Sequence, residues 1–292
     1  MFSGAITALV SPFRGGALDE GRLRDQIERQ IVAGISGLVP VGTTGESPTL
    51  DFDEHERVIE LTVKCAGGRV PVIAGTGANA TTEALRLQKF AKSVGATAGL
   101  SVNPYYNKPS QEGLYRHFMT IADAVALPIV LYNIPGRTGI NMAPATVARL
   151  AGHPNVVAIK EAAGSVEQVT EIRALCDLPV LSGDDGLTLP FMSVGAVGVI
   201  SVVSNLLPGE VVRLVKLFSA GKLAEAAALH VKFSPLIKAV FADGNPAGVK
   251  WAMKLAGLDT GELRLPVVEP TDATKAALEK EVAKWGGELK GR

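Results

Sequence analysis

The stretch AGLSVNPYYNKPSQEGLYRHFMTIADAVALPIVLYN (residues 98–133) contains the repeating unit on which the fold depends. Two short apolar runs, AGLSVN and PIVLYN, stand at its ends, and each of them ends at an asparagine. Between them, QEGLYRHFMTIADAV (111–125) has apolar residues at helical spacing, and Ser110 precedes it as a candidate N-cap. A strand, a returning helix and a second strand form a βαβ unit, which predicts two parallel strands.

The same unit recurs along most of the chain. The distance from one apolar run to the next is that of a strand plus a returning helix. The eight predicted strands are AITALV (5–10), GLVPVG (37–42), PVIAGTG (71–77), AGLSVN (98–103), PIVLYN (128–133), VVAIKEA (156–162), PVLSGD (179–184) and AVGVISV (196–202). Because these runs are almost continuously apolar, we expect a parallel sheet that is covered on both faces.

Capping residues support the predicted helices between the strands. The candidate N-caps are Asp19, Asp51 or Asp53, Thr81 or Thr82, Ser110 and Ser165. Eight strands without a break favour a closed (β/α)₈ barrel, the TIM barrel fold. An open doubly wound sheet is the alternative, but it usually shows GxGxxG after its first strand, and Ser11-Pro12-Phe13 follows the first strand here.

The chain continues for about 89 residues beyond the eighth predicted strand, which is more than one closing helix needs. Several helical patterns fill this part, and no low-complexity linker separates them from the rest. We therefore expect a catalytic barrel over residues 1–222 and a helical extension over residues 223–292 that packs on the barrel.

The composition excludes several classes of function. Lys plus Arg is 29 and Asp plus Glu is 29, so the formal net charge is zero and nothing favours nucleic acid or an anionic membrane as a partner. Hydrophobic residues make up 47% of the chain, which is enough for a large core. The two cysteines, Cys65 and Cys176, lie far apart, and the four histidines form no metal-binding pair.

Cysteine usage and the first residues bear on the compartment. Two separated cysteines give no disulfide framework, which predicts a reducing, cytoplasmic environment. The start MFSGAITALVSPF lacks a basic segment before its apolar run and is a poor signal peptide. No apolar stretch reaches the about 18 residues that a membrane span needs, so no membrane partner is expected.

Two reactive side chains end neighbouring predicted strands. In a TIM barrel the active site lies at the carboxyl ends of the strands, and alternation sends Lys160 and Tyr132 into the barrel. Burial disfavours an ammonium, so we expect the pKa of Lys160 to fall and its amine to be a nucleophile towards carbonyls. Tyr132 can transfer protons. Taken singly, a lysine at a strand end and a packed tyrosine are better explained by structural roles, an ion pair or a buried stem for the lysine and packing for the tyrosine.

Three loops that follow predicted strands carry groups suited to carboxylates. GTTGES (42–47) combines converging amides with the hydroxyls of Thr43 and Thr44. NPYYNKP (103–109) holds two adjacent aromatics between prolines, and NIPGRTG (133–139) places Arg137 on a rigid Pro-Gly turn. Singly, these loops also fit a capped turn, a stiff surface loop and a surface ion pair. Together they surround one rim of one barrel, which is the pattern of an active site.

Five motifs together resemble the pyruvate-dependent class I aldolases, the family that also contains N-acetylneuraminate lyase. They are GTTGES (42–47), NPYYNKP (103–109), YNIPGRTG (132–139), VAIKEA (157–162) and LSGDD (181–185), in this order over essentially the full chain. YNIPGRTG and PYYNKP resemble the synthase branch more than the lyase branch. The resemblance implies condensation of pyruvate with L-aspartate 4-semialdehyde in the diaminopimelate route to lysine, without a cofactor, by a homotetramer built as a dimer of dimers.

The resemblance also implies a role for each matching residue. Lys160 forms the imine with pyruvate and Tyr132 acts over it as acid and base. Thr43 links Tyr132 to Tyr106, which reaches in from a neighbouring subunit. The resemblance further implies that Thr43 and Thr44 bind the carboxylate of pyruvate and that Arg137 binds the carboxylate of the aldehyde. Gly183 and Ile200 are implied to make main-chain contacts near the lysine.

Lysine feedback at a subunit interface is a further expectation from the resemblance. The matching positions are Ser47, Pro48, Phe52, His55, Asn79, Glu83 and Tyr105. Phe52 and Pro48 depart from the lysine-sensitive pattern, so a packed interface loop remains the other interpretation of these residues.

Three other functions remain open from the sequence. A lyase or aldolase acting on N-acetylneuraminate or a 2-keto-3-deoxy sugar acid would use the same Lys160 and Tyr132, and Arg137 argues against it by resemblance. A barrel without catalysis would serve as a binding subunit, which the intact set of polar residues disfavours. A phosphate-binding isomerase would carry its site after strands seven and eight, where SGDDG and SVVSN offer no nearby Lys or Arg.

Overall fold

The protein is a parallel barrel followed by helices in this computed structural model, which describes residues 2–289. All eight predicted strands are present, and we label them β1 to β8 in chain order. They are Gly4–Ala8 (β1), Gly37–Val39 (β2), Ile73–Gly75 (β3), Ala98–Val102 (β4), Ile129–Asn133 (β5), Val156–Glu161 (β6), Val180–Ser182 (β7) and Gly198–Ser201 (β8). A two-stranded hairpin, Phe13–Arg14 with Ala17–Leu18, follows β1.

Hydrogen bonds close the sheet into a barrel. Strands β3 to β8 pair in sequence order, β8 pairs with β1, and β1 pairs with β2, all in parallel. The last joint lies between β2 and β3, where Leu38 bridges Val72 and the Gly75 amide donates to the carbonyl of Pro40 at 3.0 Å. The predicted TIM barrel is therefore confirmed, and the open sheet is excluded.

A helix covers each connection between strands, and three further helices of nine or more residues follow the barrel. The barrel helices are Glu20–Val32 (α1), Phe52–Ala66 (α2), Thr81–Ser93 (α3), Gln111–Ala124 (α4), Pro144–Ala151 (α5), Val166–Leu175 (α6), Thr188–Ser193 (α7) and Pro208–Ser219 (α8). Leu223–Phe241 (α9), Ala247–Leu255 (α10) and Asp272–Lys284 (α11) form the extension, with short turns at Pro135–Thr138 and Gly286–Leu289. None of these helices is both long and apolar enough to cross a membrane.

Four of the predicted N-caps hold their helices as expected. The side chains of Asp19, Ser110 and Ser165 accept backbone hydrogen bonds, and Asp51 forms a capping box with Glu54. The prediction for Thr81 and Thr82 is wrong, because α3 begins at Thr81 itself and no side chain caps it. The Thr81 hydroxyl instead pairs with Nδ1 of His117 on α4, at 2.9 Å.

Side chains fill the barrel interior up to the level of the site. Inward positions of the strands form one buried cluster, and these side chains are Ile6, Ala8, Val39, Ile73, Ala98, Leu100, Val130, Tyr132, Ala158, Leu181 and Ile200. Each large apolar side chain buried in this way stabilises the fold by about 1.5–3 kcal/mol. Because these side chains fill the barrel interior, a ligand inside the barrel has room at the ends of the strands.

The C-terminal helices pack against the barrel and share its largest core cluster. Phe233 of α9 stacks on Trp285 with ring centroids 4.9 Å apart, and both rings are fully buried. Helix α8 ends at Ser219 and α9 begins at Leu223, on either side of the predicted boundary at residue 222. The division into a barrel and an extension stays a prediction.

Candidate active site

Lys160 and Tyr132 lie side by side at the mouth of the barrel. They are partners in the parallel register of β5 and β6, so their side chains leave the sheet at the same height and on the same side. Both are buried, with 5% and 4% of their surface exposed. The Lys160 Nζ lies 4.2 Å from the centroid of the Tyr132 ring, within cation–π distance.

Gly183 and Ile200 pack around this pair. A Cβ added at Gly183 would lie 2.7 Å from the Cβ of Ala162 and 3.1 Å from the Cε of Lys160, so a side chain there would clash with Ala162 and press on the lysine. Ile200 is fully buried inside the barrel on β8, in the same cluster as Tyr132. The structure thus brings four of the predicted site residues together within the barrel mouth.

A cavity of about 260 Å³ adjoins the pair at Tyr132, which contributes to its wall, whereas Lys160, Gly183 and Ile200 are not among its lining residues. Thr43, Tyr132 and Arg137 contribute to its wall, together with Ser47, Pro48 and Tyr105 of the predicted feedback site. The remaining lining residues are Val41, Gly42, Gly75, Gly77, Leu100, Val102, Ile134 and Thr138. The volume suits a small metabolite, and the wall combines an apolar lower part with hydroxyl and guanidinium groups.

The GTTGES loop folds into a tight turn at the end of β2. Thr43–Gly45 is a single 3₁₀ turn, and the next residue, Glu46, has left-handed backbone angles with φ of 54°. Gly45 needs to be small, because a Cβ there would lie 3.1 Å from the carbonyl oxygen of Leu9. Thr44 is buried, and its hydroxyl accepts a hydrogen bond from Nδ2 of Asn245 at 2.9 Å.

Arg137 stands at the rim on the short turn Pro135–Thr138. Its Nη2 donates to the carbonyl of Asn245 at 3.1 Å, while the residue remains exposed. Asn245 therefore connects two predicted carboxylate contacts, Thr44 and Arg137, from the C-terminal part of the chain.

Sequence reasoning missed the contribution of the extension. Lys250 of α10 is fully buried, and its Nζ donates to Oε1 of Glu46 at 2.7 Å and to the carbonyl of Ser11 at 2.8 Å. The other carboxylate oxygen of Glu46 accepts from the amide of Arg264 at 3.1 Å. The available signal was Lys250 itself, which stands between the apolar residues Val249 and Trp251 of α10, because a buried ammonium is too costly to occur without an anion.

The two tyrosines of NPYYNKP behave differently. Tyr105 lines the cavity, whereas Tyr106 is 90% exposed and has a left-handed φ of 73°. Within one chain, Tyr106 is therefore not part of the cavity. Such exposure of a large aromatic residue on a strained backbone is typical of a surface that meets another chain.

The other predicted feedback residues do not line the cavity. His55 is buried on α2 and its Nε2 contacts the carbonyl of Gly75 at 2.8 Å. Burial lowers the pKa of His55, so its ring is uncharged near neutral pH.

Burial and the nearby charge of Glu83 raise the pKa of Tyr105. Asn79 accepts a hydrogen bond on its carbonyl from Asn107. Phe52 is partly exposed below the guanidinium of Arg86, at 4.2 Å.

Metal ligands are not clustered in the part of the chain that the structure covers. Among residues 2–289, no three His, Cys, Asp or Glu side chains are grouped so that they could hold a metal ion. The reactive groups of the site are the lysine, the tyrosine, the hydroxyls and the guanidinium.

Comparisons with known proteins agree with this geometry. The model of the dihydrodipicolinate synthetase family matches residues 1–285. The 4-hydroxy-tetrahydrodipicolinate synthase of Pelobacter propionicus is 56% identical over 280 residues, which cover 95% of this chain and 97% of that protein.

Two solved structures are similar over nearly their full length. The 4-hydroxy-tetrahydrodipicolinate synthase of Methylacidiphilum fumariolicum SolV is 46% identical, with a TM-score of 0.97 over 99% of this chain and 98% of that chain. The chloride-inhibited dihydrodipicolinate synthase of Acinetobacter baumannii, complexed with pyruvate, is 42% identical, with a TM-score of 0.94 over 99% of this chain and 100% of that chain. The chain belongs to the dihydrodipicolinate synthetase family.

Proposed function

We propose that the chain condenses pyruvate with L-aspartate 4-semialdehyde to 4-hydroxy-tetrahydrodipicolinate, through an imine between pyruvate and Lys160. The observation that carries the proposal is the placement of the buried Lys160 Nζ 4.2 Å from the ring of Tyr132, which itself lines a cavity large enough for a small metabolite. Relatives named for this product support the choice of reaction.

The lysine supplies the chemistry. Its amine attacks the keto carbon of pyruvate, and the keto oxygen leaves as water when the imine forms. The protonated imine withdraws electrons, so C3 of pyruvate loses a proton and becomes the carbon of an enamine. That carbon attacks the aldehyde carbon of the second substrate, and the aldehyde oxygen takes up a proton. The amine of the second substrate then attacks the imine carbon, closes the ring and releases the amine of Lys160. The imine itself is the electron sink, so we propose no metal and no separate cofactor.

Tyr132 moves the protons in this scheme. Its ring lies beside the lysine, and we propose that its hydroxyl serves as acid and base, with Thr43 connecting it to Tyr106 of a neighbouring subunit. The exposure of Tyr106 supports a contribution across an interface. We therefore propose an oligomer, built as a homotetramer of two dimers, in which each site is completed by a second chain.

The two substrate carboxylates have separate partners in the proposal. Amides and hydroxyls of Thr43 and Thr44 bind the carboxylate of pyruvate, and the tight turn that follows supports this arrangement. Arg137, exposed at the rim, binds the carboxylate of the aldehyde through its planar guanidinium. Main-chain groups of Gly183 and Ile200 contact the substrate near the lysine.

Regulation by L-lysine remains a separate proposal. Ser47, Pro48 and Tyr105 line the cavity wall, while His55, Asn79 and Glu83 do not. We propose that L-lysine binding at these matching positions would inhibit the enzyme, and activity that is unchanged by millimolar L-lysine would contradict it. Cytoplasmic location likewise stays a prediction, supported by the free thiols of Cys65 and Cys176.

A substrate assay separates the proposal from its closest alternative. Purified protein is incubated with pyruvate and L-aspartate 4-semialdehyde in one series, and with N-acetylneuraminate or a 2-keto-3-deoxy sugar acid in another. We expect consumption of the two condensation substrates and no release of pyruvate from the sugar acids. Release of pyruvate from a sugar acid, without condensation, would assign the site to a lyase.

A further inference from the structure

A second pair of residues lies directly beyond the proposed catalytic pair. Asn133 follows Tyr132 on β5 and Glu161 follows Lys160 on β6, and the parallel register pairs them as it pairs their neighbours. Alternation sends their side chains to the opposite side of the sheet, towards the helices. Both are completely buried, and Nδ2 of Asn133 donates to Oε2 of Glu161 at 3.0 Å. We call Asn133 and Glu161 the strand-end clamp.

The carboxylate of the clamp is supplied with donors from both sides. Oε1 of Glu161 accepts from the amide of Ala163 at 2.7 Å, and Oε2 accepts from Nε2 of Gln168 on α6 at 3.0 Å. Among residues 2–289, no Lys, Arg or His forms an ion pair with Glu161. Burial raises the pKa of Glu161, and its hydrogen bonds oppose that rise. Neutral amide groups therefore hold this buried carboxylate in a fixed orientation.

The side-chain amide of Asn133 is held by hydrogen bonds in the same way as the carboxylate of Glu161. Oδ1 of Asn133 accepts from Nδ2 of Asn103 and from the amide of Met142, both at 2.9 Å. Nδ2 of Asn133 also donates to Oδ1 of Asn141 at 2.7 Å. Because Asn103 directly follows β4, the network joins the ends of three adjacent strands, β4, β5 and β6.

Main-chain hydrogen bonds connect the strand-end clamp to the residues around Lys160. The amide of Ala162 donates to the carbonyl of Asn133 at 2.9 Å, and the amide of Gly183 donates to the carbonyl of Glu161 at 2.7 Å. Gly183 is the residue that packs against Cε of Lys160. A shift of Glu161 would therefore move both the backbone of Lys160 and the surface on which its side chain rests.

We propose that Asn133 and Glu161 are positioning residues, which hold Tyr132 and Lys160 at the separation and height that imine formation and proton transfer require. This inference rests on the function proposed above. Neither residue contacts the cavity, so each acts through its neighbour on the strand. Displacement of reacting groups by about 1 Å can cost up to about a hundredfold in rate, which gives the clamp a measurable effect.

The test uses changes of nearly constant shape. Glu161→Gln and Asn133→Asp each turn one side of the hydrogen bond into a repulsive contact, donor facing donor or acceptor facing acceptor. The double variant Asn133→Asp with Glu161→Gln restores one carboxylate and one amide across the same pair. Asp259→Asn is the matched control, because Asp259 is also buried and also accepts from a side-chain amide and a backbone amide.

Three quantities are measured for each variant: the rate of borohydride-trapped adduct formation with pyruvate, kcat with KM for pyruvate, and the melting temperature. We expect each single variant to lose about tenfold or more in trapping rate and kcat, with KM within about threefold of the wild type. The double variant should recover part of kcat, and Asp259→Asn should trap pyruvate at the wild-type rate.

Two outcomes would overturn the inference. Trapping rates and kcat of both single variants within about twofold of the wild type would show that the clamp does not position the pair. Losses that multiply in the double variant would show that the two residues act independently. If the wild type itself formed no adduct, the proposed function would fail instead, so the two failures are distinguishable.

Discussion

The space beside Lys160 sets a strict limit on residue 183. The glycine lets the chain pass within van der Waals distance of the lysine side chain, and Ala162 closes the other side. A methyl group at this position must push Lys160 or Ala162 away, since the closest distances to a new Cβ are 2.7 and 3.1 Å. The tightest contact is with Ala162, directly after β6, so the new methyl group strains this end of the strand and also presses on the Lys160 side chain.

Gly183→Ala is therefore expected to slow imine formation by about tenfold or more, because the amine leaves its position beside Tyr132. The rate of borohydride trapping with pyruvate measures this effect. Gly209→Ala is the control, because a Cβ at Gly209 meets no atom within 4 Å. A Gly183→Ala variant that traps pyruvate as fast as the wild type would contradict the packing argument.

Sequence patterns predicted the residues on the strands better than their distant partners. The alternation of β5 and β6 was sufficient to place Lys160 and Tyr132 on the same face. Asn245 and Lys250 lie more than 80 residues further along the chain and belong to no periodic pattern that refers to the barrel mouth. Their contacts with Thr44 and Glu46 follow from how α10 packs, which local patterns do not encode.

At the scale of elements, the contact between α3 and α4 contains an uncharged histidine. His117 of α4 is buried, and Thr81 at the start of α3 bonds its Nδ1 at 2.9 Å. Burial lowers the pKa of His117 to about 4. The same contact explains why Thr81 does not cap α3, since its hydroxyl is engaged by the neighbouring helix.

This histidine makes stability depend on pH. An unfolded histidine binds a proton as the pH falls below about 6.5, whereas the folded one resists protonation until about pH 4, so acidification favours the unfolded state. The free energy of unfolding is therefore unaffected by this histidine above pH 6.5. Between pH 6.5 and pH 4 it falls progressively, by at most about 3 kcal/mol. Denaturant unfolding of wild type and His117→Gln at about pH 7.5 and about pH 5 measures it. An equal loss on acidification in both proteins would refute this assignment.

Element boundaries show where sequence reasoning reached its limit. Asp19, Ser110 and Ser165 were identifiable as N-caps because a short polar side chain precedes an apolar periodic stretch in each case. The N-cap of α3 could not be identified in the same way, because a threonine can either cap a helix or bond to a neighbouring element. Only the tertiary contact with His117 decides which of the two Thr81 does.

At the scale of the whole molecule, one buried ion pair ties the extension to the barrel mouth. Lys250 and Glu46 have 0% and 1% of their side-chain surface exposed, and Lys250 also lies over the ring of Phe13. Removing one partner leaves the other charge buried without compensation, whereas removing both does not. The pair also fixes the GTTGES loop, because Glu46 ends the turn that contains Thr43 and Thr44.

Lys250→Met is expected to lower the free energy of unfolding by about 3–5 kcal/mol, since the buried carboxylate of Glu46 loses the ammonium with which it is paired. The double variant Lys250→Met with Glu46→Gln should recover most of that loss. Denaturant unfolding of the wild type, both single variants and the double variant completes the cycle. A double variant as unstable as the sum of the singles would show that the two side chains are not coupled.

The proposed oligomer predicts complementation between two inactive variants. Lys160→Ala lacks the nucleophile, and Tyr106→Phe lacks the hydroxyl that the neighbouring site is proposed to use. When the two proteins are unfolded together and refolded, a mixed pair contains one site with both residues intact. We expect activity above that of either protein refolded alone, and its absence in assembled mixed oligomers would place Tyr106 outside the neighbouring site.

The central claim is that Lys160 forms an imine with pyruvate, and borohydride trapping followed by peptide mass spectrometry tests it most directly. With the wild type, the account predicts one irreversible adduct, the mass of a reduced pyruvate, on the peptide that contains Lys160. The Lys160→Ala variant should yield no adduct, although all its other lysines remain. An adduct on a different lysine, or none in a folded wild type that contains Tyr132 at its observed position, would contradict the account.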